Sequence, residues 1–228
     1  MSIVRVAVLG GAFDPVHYGH LRSAVEVHEQ LQTDCFFLMP CGEPALKSEL
    51  GASAGQRLQM LELALQEFSA LAIDDREIQR AGTSYTFDSL VGIRRSLADD
   101  DQLFFVMGSD AFRQFHHWHC WQDIPGQASL VVMQREGERL ELSALDRELA
   151  DWLSDYEVVV SPLESEGPRQ VLMLETRPYA IASTAIRQAL LNRGDAACRA
   201  RVKEWVPASV LEYIETEKLY PERQVSVQ

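Results

Sequence analysis

Short β-branched apolar runs alternate with amphipathic stretches along almost the whole chain of 228 residues, and this alternation restricts the fold more than any other feature. IVRVAVLG, residues 3–10, reads as a buried parallel strand closed by glycine, and GHLRSAVEVHEQLQ, residues 19–32, as the amphipathic helix after it. The pattern continues through CFFLMP (strand), the loop CGEPALKSELGAS, AGQRLQMLELALQEF (helix), LAIDDREI (short extended segment) and TFDSLVGIRRSLA (helix). QLFFVMG, ASLVVMQR, YEVVV and QVLMLE read as further strands, with SDAFRQF and SALDRELADWL as helices between them. Beyond these the chain turns helical, first in STAIRQALLNRG and then in PASVLEYIETEKLY, which proline opens. The expectation is an α/β fold: a Rossmann-like, doubly wound, mainly parallel sheet with helices on both faces and C-terminal helices packed beside it. One domain over residues 1–220 and a loose tail over 221–228 are expected, since neither an internal repeat nor a low-complexity linker interrupts the chain.

A doubly wound sheet binds ligands at the carboxyl ends of its strands, where strand order reverses. Two strands here end in glycine followed by polar residues: Gly10-Gly11 closes the first and Gly108-Ser109-Asp110 a later one. The first leads into GGAFDPVHYGHL, residues 10–21, a glycine turn running into a helix. Such a turn presents backbone N–H groups to a phosphate, yet the lysine of the common phosphate loop is missing, so His17 and His20 have to supply what it would. With a helix beginning near Gly19, both imidazoles can point into the space above the first strand and converge on one anion. Pro15 fixes the loop, and Gly19 lets backbone approach a ligand closely. In IASTAIRQAL, Ser183 and Thr184 open a helix with Arg187 on the same face, so hydroxyls, free N–H groups and a guanidinium face one site. Each motif alone is as consistent with capping as with binding; two together point to phosphate.

Charge sharpens this. A formal net charge of −13 disfavours a general nucleic-acid binder, so an anionic substrate must meet a local positive pocket, and His17, His20, Lys47 and Arg187 are the cations to watch. No apolar run approaches a membrane span and the N-terminal residues lack signal-peptide character, so a cytoplasmic protein is expected, with no membrane partner. Four cysteines without a CxxC pair fit reduced thiols rather than a disulfide framework. His116 and Cys120, four apart in HHWHC, have no third clustered ligand beside them, and no protein metal ligand is expected.

GGAFDPVHYGHL resembles the GxFDPxHxGH loop of the HxGH nucleotidyltransferase superfamily, and STAIR resembles its ISSTxIR-type phosphate motif. Within that superfamily the chain is most similar to the bacterial nicotinate-mononucleotide adenylyltransferases, nearly end to end. REIQRAGTSYTFDSL, FFVMGSDAFRQFHHW and VPASVLEYIETEKLY each resemble segments of that family. The resemblance implies transfer of AMP from ATP to nicotinate mononucleotide without a covalent enzyme intermediate. It implies catalytic roles for His17 and His20 and an ATP site built on Gly10, Gly11, Phe13, Lys47, Gly108, Asp110, Ser183, Thr184 and Arg187, with Asp110 accepting ribose hydroxyls. The mononucleotide would meet Trp118, whose face stacks on the pyridinium ring, and the backbone around Tyr85, Thr86 and His119, which receives the carboxylate. Magnesium would arrive with ATP. The partners implied are these small molecules, with homo-oligomerisation left open. Two positions depart from the family pattern: Leu46 stands where a histidine is frequent in the loop after the second strand, leaving Lys47, and His119 stands where tyrosine is frequent. Phosphopantetheine adenylyltransferase, which shares the histidine loop, and a catalytically silent nucleotide-binding regulator are the rivals.

Overall fold

Strand β1 (Arg5–Gly11) runs down the middle of the molecule because both of its faces are apolar: Ala7 and Leu9 enter one core, Val6 and Val8 the other, and all four are buried. Full burial of side chains this size is worth about 1.5–3 kcal/mol each for the valines and leucine. The computed structural model describes residues 3–44, 50–135, 140–159, 170–192 and 194–221. Within them the order is β1, α1 (Tyr18–Leu31), β2 (Cys35–Pro40), β3 (Glu43–Pro44), α2 (Ala54–Leu65), β4 (Ala72–Ile73), α3 (Arg76–Gln79), β5 (Thr83–Ser84) and α4 (Thr86–Arg94). The second half runs β6 (Gln102–Gly108), α5 (Ser109–Phe112), β7 (Ser129–Arg135), α6 (Arg147–Leu153), β8 (Glu157–Val159), β9 (Gln170–Thr176), α7 (Ser183–Leu191), α8 (Ala196–Trp205) and α9 (Ala208–Thr216).

Seven strands form one parallel sheet in the order β4-β2-β1-β6-β7-β9-β8, and β3 pairs with β5 in a small separate ladder. The chain builds outward from β1 through β2 to β4, then returns to β1's other side with β6, so the strand order reverses between β1 and β6. Gly10-Gly11 and Gly108 therefore end neighbouring strands, as the doubly wound expectation required. One face is covered by α1, α2 and the C-terminal helices, the other by α4, α6 and the aromatic 3-10 turns at Phe115–His117 and Trp121–Gly126. Among the described residues no helix is long and apolar enough to cross a membrane.

The expected strands and most helices are present. The segment expected to be extended at 71–78 instead forms two residues of β4 and the short helix α3, whose entry is set by the Asp74 carboxylate accepting from the Arg76 N–H at 3.2 Å. Helix α8 was not anticipated: only Val202 of its ten residues is buried, so no apolar stripe announces it. It is capped by Asp195, whose side chain accepts from Ala197 N and Cys198 N.

Candidate active site

The loop from Ala12 to His17 leaves β1 almost wholly buried. Phe13 adopts a positive φ of 50°, and the Asp14–Pro15 peptide is cis. Helix α1 begins at Tyr18, and its N-cap is His17 itself: the ring Nδ1 accepts the His20 N–H at 3.3 Å. That bond assigns the imidazole proton to Nε2, because Nδ1 must offer its lone pair. His17 is only 4 % exposed, and burial, with the His20 ring beside it, pushes its pKa down to about 2. Its place among the local cations to watch is thus corrected. His17 is a neutral, directional donor.

The two imidazoles stack face to face with centroids 3.6 Å apart and planes 20° apart, and the Phe13 ring meets His20 edge-on at 5.1 Å. The fold thus brings the two rings together. The glycine between them serves this stack directly: a Cβ at Gly19 would stand 2.9 Å from His17 Nδ1, so the room is needed by the histidine ring as well as by any ligand.

The STAIR segment, some 170 residues onward, sits against the same loop. Ser183 Oγ donates to the Pro15 carbonyl at 3.0 Å, and Arg187 Nη1 donates to the Asp14 carbonyl at 2.5 Å while lying 3.6 Å from the Asp14 carboxylate. Ser183 and Thr184 are the first two residues of α7 rather than its cap, which is Ala182 with no side-chain bond to the helix N–H groups. Ser183 therefore spends its hydroxyl proton on the loop, and its backbone N–H is what it offers outward. Neither α1 nor α7 carries an acidic residue in its first turn, so both helix dipoles present their positive ends unopposed.

Four residues that the sequence did not single out hold this arrangement. Asp14, 2 % exposed, accepts from Gly51 N at 2.7 Å, Ala52 N at 3.1 Å and the Tyr220 hydroxyl at 2.6 Å. Arg57, 1 % exposed on α2, donates to the carbonyls of Ala12 (2.8 Å), Cys41 (2.6 Å) and Gly42 (2.9 Å), clamping the loop after β1 to the loop after β2. An arginine at the buried stripe 57, 60, 61 and 64 of an amphipathic helix was the available signal. Glu77 accepts from Ser89 Oγ at 2.7 Å and bonds Ser84, whose Oγ also accepts from Gly42 N at 3.0 Å. Burial raises its pKa.

On the other side of the switch point, Gly108 is the N-cap of α5. Asp110 is 89 % exposed and paired with Arg113 at 3.1 Å. Trp118 is half-buried and meets Phe105 and Phe115 edge-on at 6.0 and 5.6 Å; Phe105 in turn lies beneath Gly10. Tyr85, the N-cap of α4, and the exposed His119 bring their rings within 4.4 Å of each other, with no side chain capping that helix. The sequence thus places two groups of residues, and β1 and β6 set them side by side. Lys47 and Leu46 lie outside the described residues.

A parallel sheet with a glycine-histidine loop where its strand order reverses defines a doubly wound α/β protein. Residues 8–189 match the cytidylyltransferase-like family, and the chain belongs to it. Curated relatives carry a narrower name. The probable nicotinate-nucleotide adenylyltransferase of Cellvibrio japonicus (strain Ueda107) is 39% identical over 215 residues, spanning 94% of this chain and 98% of that one. The protein of the same name from Pseudomonas aeruginosa (strain UCBPP-PA14) is 40% identical over 217 residues, 95% of this chain and 97% of that one. Among solved structures, Plasmodium falciparum nicotinic acid mononucleotide adenylyltransferase complexed with NaAD superposes with a TM-score of 0.72 at 16% identity, covering 95% and 97% of the two chains, a likeness of fold.

Proposed function

We propose that this protein transfers the AMP unit of ATP to nicotinate mononucleotide, giving nicotinate adenine dinucleotide and pyrophosphate. The observation that carries the reading is the junction of two motifs far apart in sequence: the stacked His17–His20 pair and Arg187 meet on one loop, at the strand-order reversal. Relatives about 40% identical over nearly the whole chain bear the corresponding name and support the choice of acceptor.

In this reaction a phosphate oxygen of the mononucleotide attacks the α-phosphorus of ATP, a new P–O bond forms, and the bond to the β-phosphate breaks as pyrophosphate leaves. The attacking group is already ionised at neutral pH, so no general base is required. The protein aligns two anions and stabilises charge. His17, neutral and protonated on Nε2, supplies a directional hydrogen bond; His20, in contact with it, supplies a second. Donors of this kind are worth about 3–4 kcal/mol of transition-state stabilisation. Arg187 and the N-terminal N–H groups of α7 take the β- and γ-phosphates, and Gly10, Gly11 and Phe13 form the floor of the ATP site. Lys47 completes the phosphate ligands. The Gly108 turn borders the adenosine, and Asp110, whose Oδ1 meets Arg113, takes a ribose hydroxyl. Trp118, the backbone of Tyr85 and Thr86 at the start of α4, and His119 take the pyridine ring and its carboxylate. Magnesium enters as part of the ATP complex.

The test is pyrophosphate release from ATP and magnesium with nicotinate mononucleotide, nicotinamide mononucleotide or phosphopantetheine as acceptor. Turnover with the first, abolished by His20→Ala, is expected. A preference for phosphopantetheine overturns the acceptor assignment, and no turnover with any acceptor overturns the reaction.

A further inference from the structure

We infer that Tyr220, near the far end of the chain, is a positioning residue for the phosphate site, acting through Asp14 on Arg187. The inference rests on the function proposed above only in taking Arg187 as a phosphate ligand.

Tyr220 follows α9, is 5 % exposed, and has a positive φ of 50°, an uncommon conformation for a bulky residue and a modestly strained one. Lys218, two residues earlier, has φ 52°. This bent segment carries the ring under the loop, where a Cβ on Gly51 would stand 2.6 Å from Tyr220 Cε1 and 3.2 Å from Arg187 Cδ. The glycine, the tyrosine ring and the arginine stem are thus packed as one unit. Phenylalanine would fill the same space. What packing does not explain is the hydroxyl, which donates at 2.6 Å to Oδ1 of a buried carboxylate.

That carboxylate faces two kinds of partner. Tyr220 and Ala52 N bond Oδ1; Gly51 N bonds Oδ2, which also lies 3.6 Å from Arg187 Nη1. The distance to Arg187 is an ion pair held just beyond hydrogen-bond length. Each neutral donor on Asp14 drains charge that would otherwise draw the guanidinium inward. Tyr220 is a dependable donor, because burial and the adjoining carboxylate both push its pKa up. Its hydroxyl helps satisfy the Asp14 carboxylate, so that Arg187 bonds the Asp14 carbonyl instead and keeps a side chain one-third exposed toward an anion. Without the hydroxyl, Asp14 competes with the phosphates for Arg187.

The test measures binding of the α,β-methylene analogue of ATP, with magnesium, by titration calorimetry in four proteins: wild type, Tyr220→Phe, Arg187→Met and the double variant. Tyr220→Phe is expected to weaken binding about fivefold, the worth of one ordinary net hydrogen bond, when Arg187 is present. In the Arg187→Met background the same change should weaken it less than about twofold, because the cation through which Tyr220 acts is gone. A purely structural role would give equal ratios in both backgrounds. Equal ratios, or unchanged affinity in the single variant, overturn the inference while leaving the proposed reaction intact. Absence of nucleotide binding by the wild type overturns both.

Discussion

His17 is an imidazole buried in its neutral form, and that has a measurable thermodynamic consequence. Its pKa falls from 6.5 to about 2 on folding, chiefly because burial penalises the cation. Above pH 6.5 both folded and unfolded chains carry it neutral, and it contributes nothing to the pH dependence. As pH falls below 6.5 the unfolded state takes up a proton that the folded state refuses, so stability declines by about 1.4 kcal/mol per pH unit until the folded pKa is reached. Between pH 7.5 and pH 5 the loss from this one residue is about 2 kcal/mol. The informative comparison is His17→Asn, because asparagine also caps a helix through its side-chain oxygen and does not titrate in this range. Urea unfolding of both proteins at pH 7.5 and pH 5.0 isolates the difference, since nearly all other titrating groups are common to both. The wild type should lose about 2 kcal/mol more than the variant, or about 4–8 °C more in Tm for a domain of this size. Parallel pH dependence in the two proteins would refute the neutral, buried histidine and with it the Nε2 donor in the reaction.

Arg57→Met preserves bulk on the inner face of α2 but strands the carbonyls of Ala12, Cys41 and Gly42; a loss of about 3 kcal/mol in urea unfolding is expected. Glu77→Ala leaves the Ser84 and Ser89 hydroxyls without their shared acceptor and should cost about 2–3 kcal/mol, whereas Glu77→Gln, which keeps an acceptor oxygen, should stay within about 1 kcal/mol of wild type by the same measurement. His119→Ala removes an exposed ring that touches only the edge of the site, so stability should change by less than about 0.5 kcal/mol. Because the contact assigned to His119 is a backbone one that alanine keeps, initial-rate kinetics on that variant should show KM for nicotinate mononucleotide and KM for ATP both unchanged.

The parts of the site that were legible in the sequence are those whose signals are contiguous. Gly10 to Leu21 compresses a strand end, a fixed loop and a helix start into twelve residues, and every one of those features carries local stereochemistry. The same holds for Ser183 to Arg187, although only the fold brings it to Asp14 and Pro15. Asp14, Arg57, Glu77 and Tyr220 were not legible, for separate reasons. Asp14 reads as half of an Asp-Pro turn, Arg57 as one more polar residue on an amphipathic helix, and Tyr220 as the end of a helix. Their roles are set by partners as many as 206 positions away. Helix α8 escaped because a helix that buries one residue in ten has no period to detect, and α3 because four residues are too few to show one.

A chain of net charge −13 that handles two anions has to concentrate positive potential where it is needed. His17, being neutral, contributes none of it. Arg57 makes no ion pair among the described residues; its cation is met by carbonyl oxygens directly under the loop after β1. Two helix N-termini free of acidic residues add to it, and Arg187 adds more to the extent that Asp14 releases it. Because Arg57 is buried in a medium of low effective dielectric, salt screens it far less than it screens the acidic surface. In the proposed reaction, charge and direction are therefore supplied by different residues: arginines and helix dipoles attract the phosphates, and His17, held in one tautomer by the backbone, gives a directed hydrogen bond.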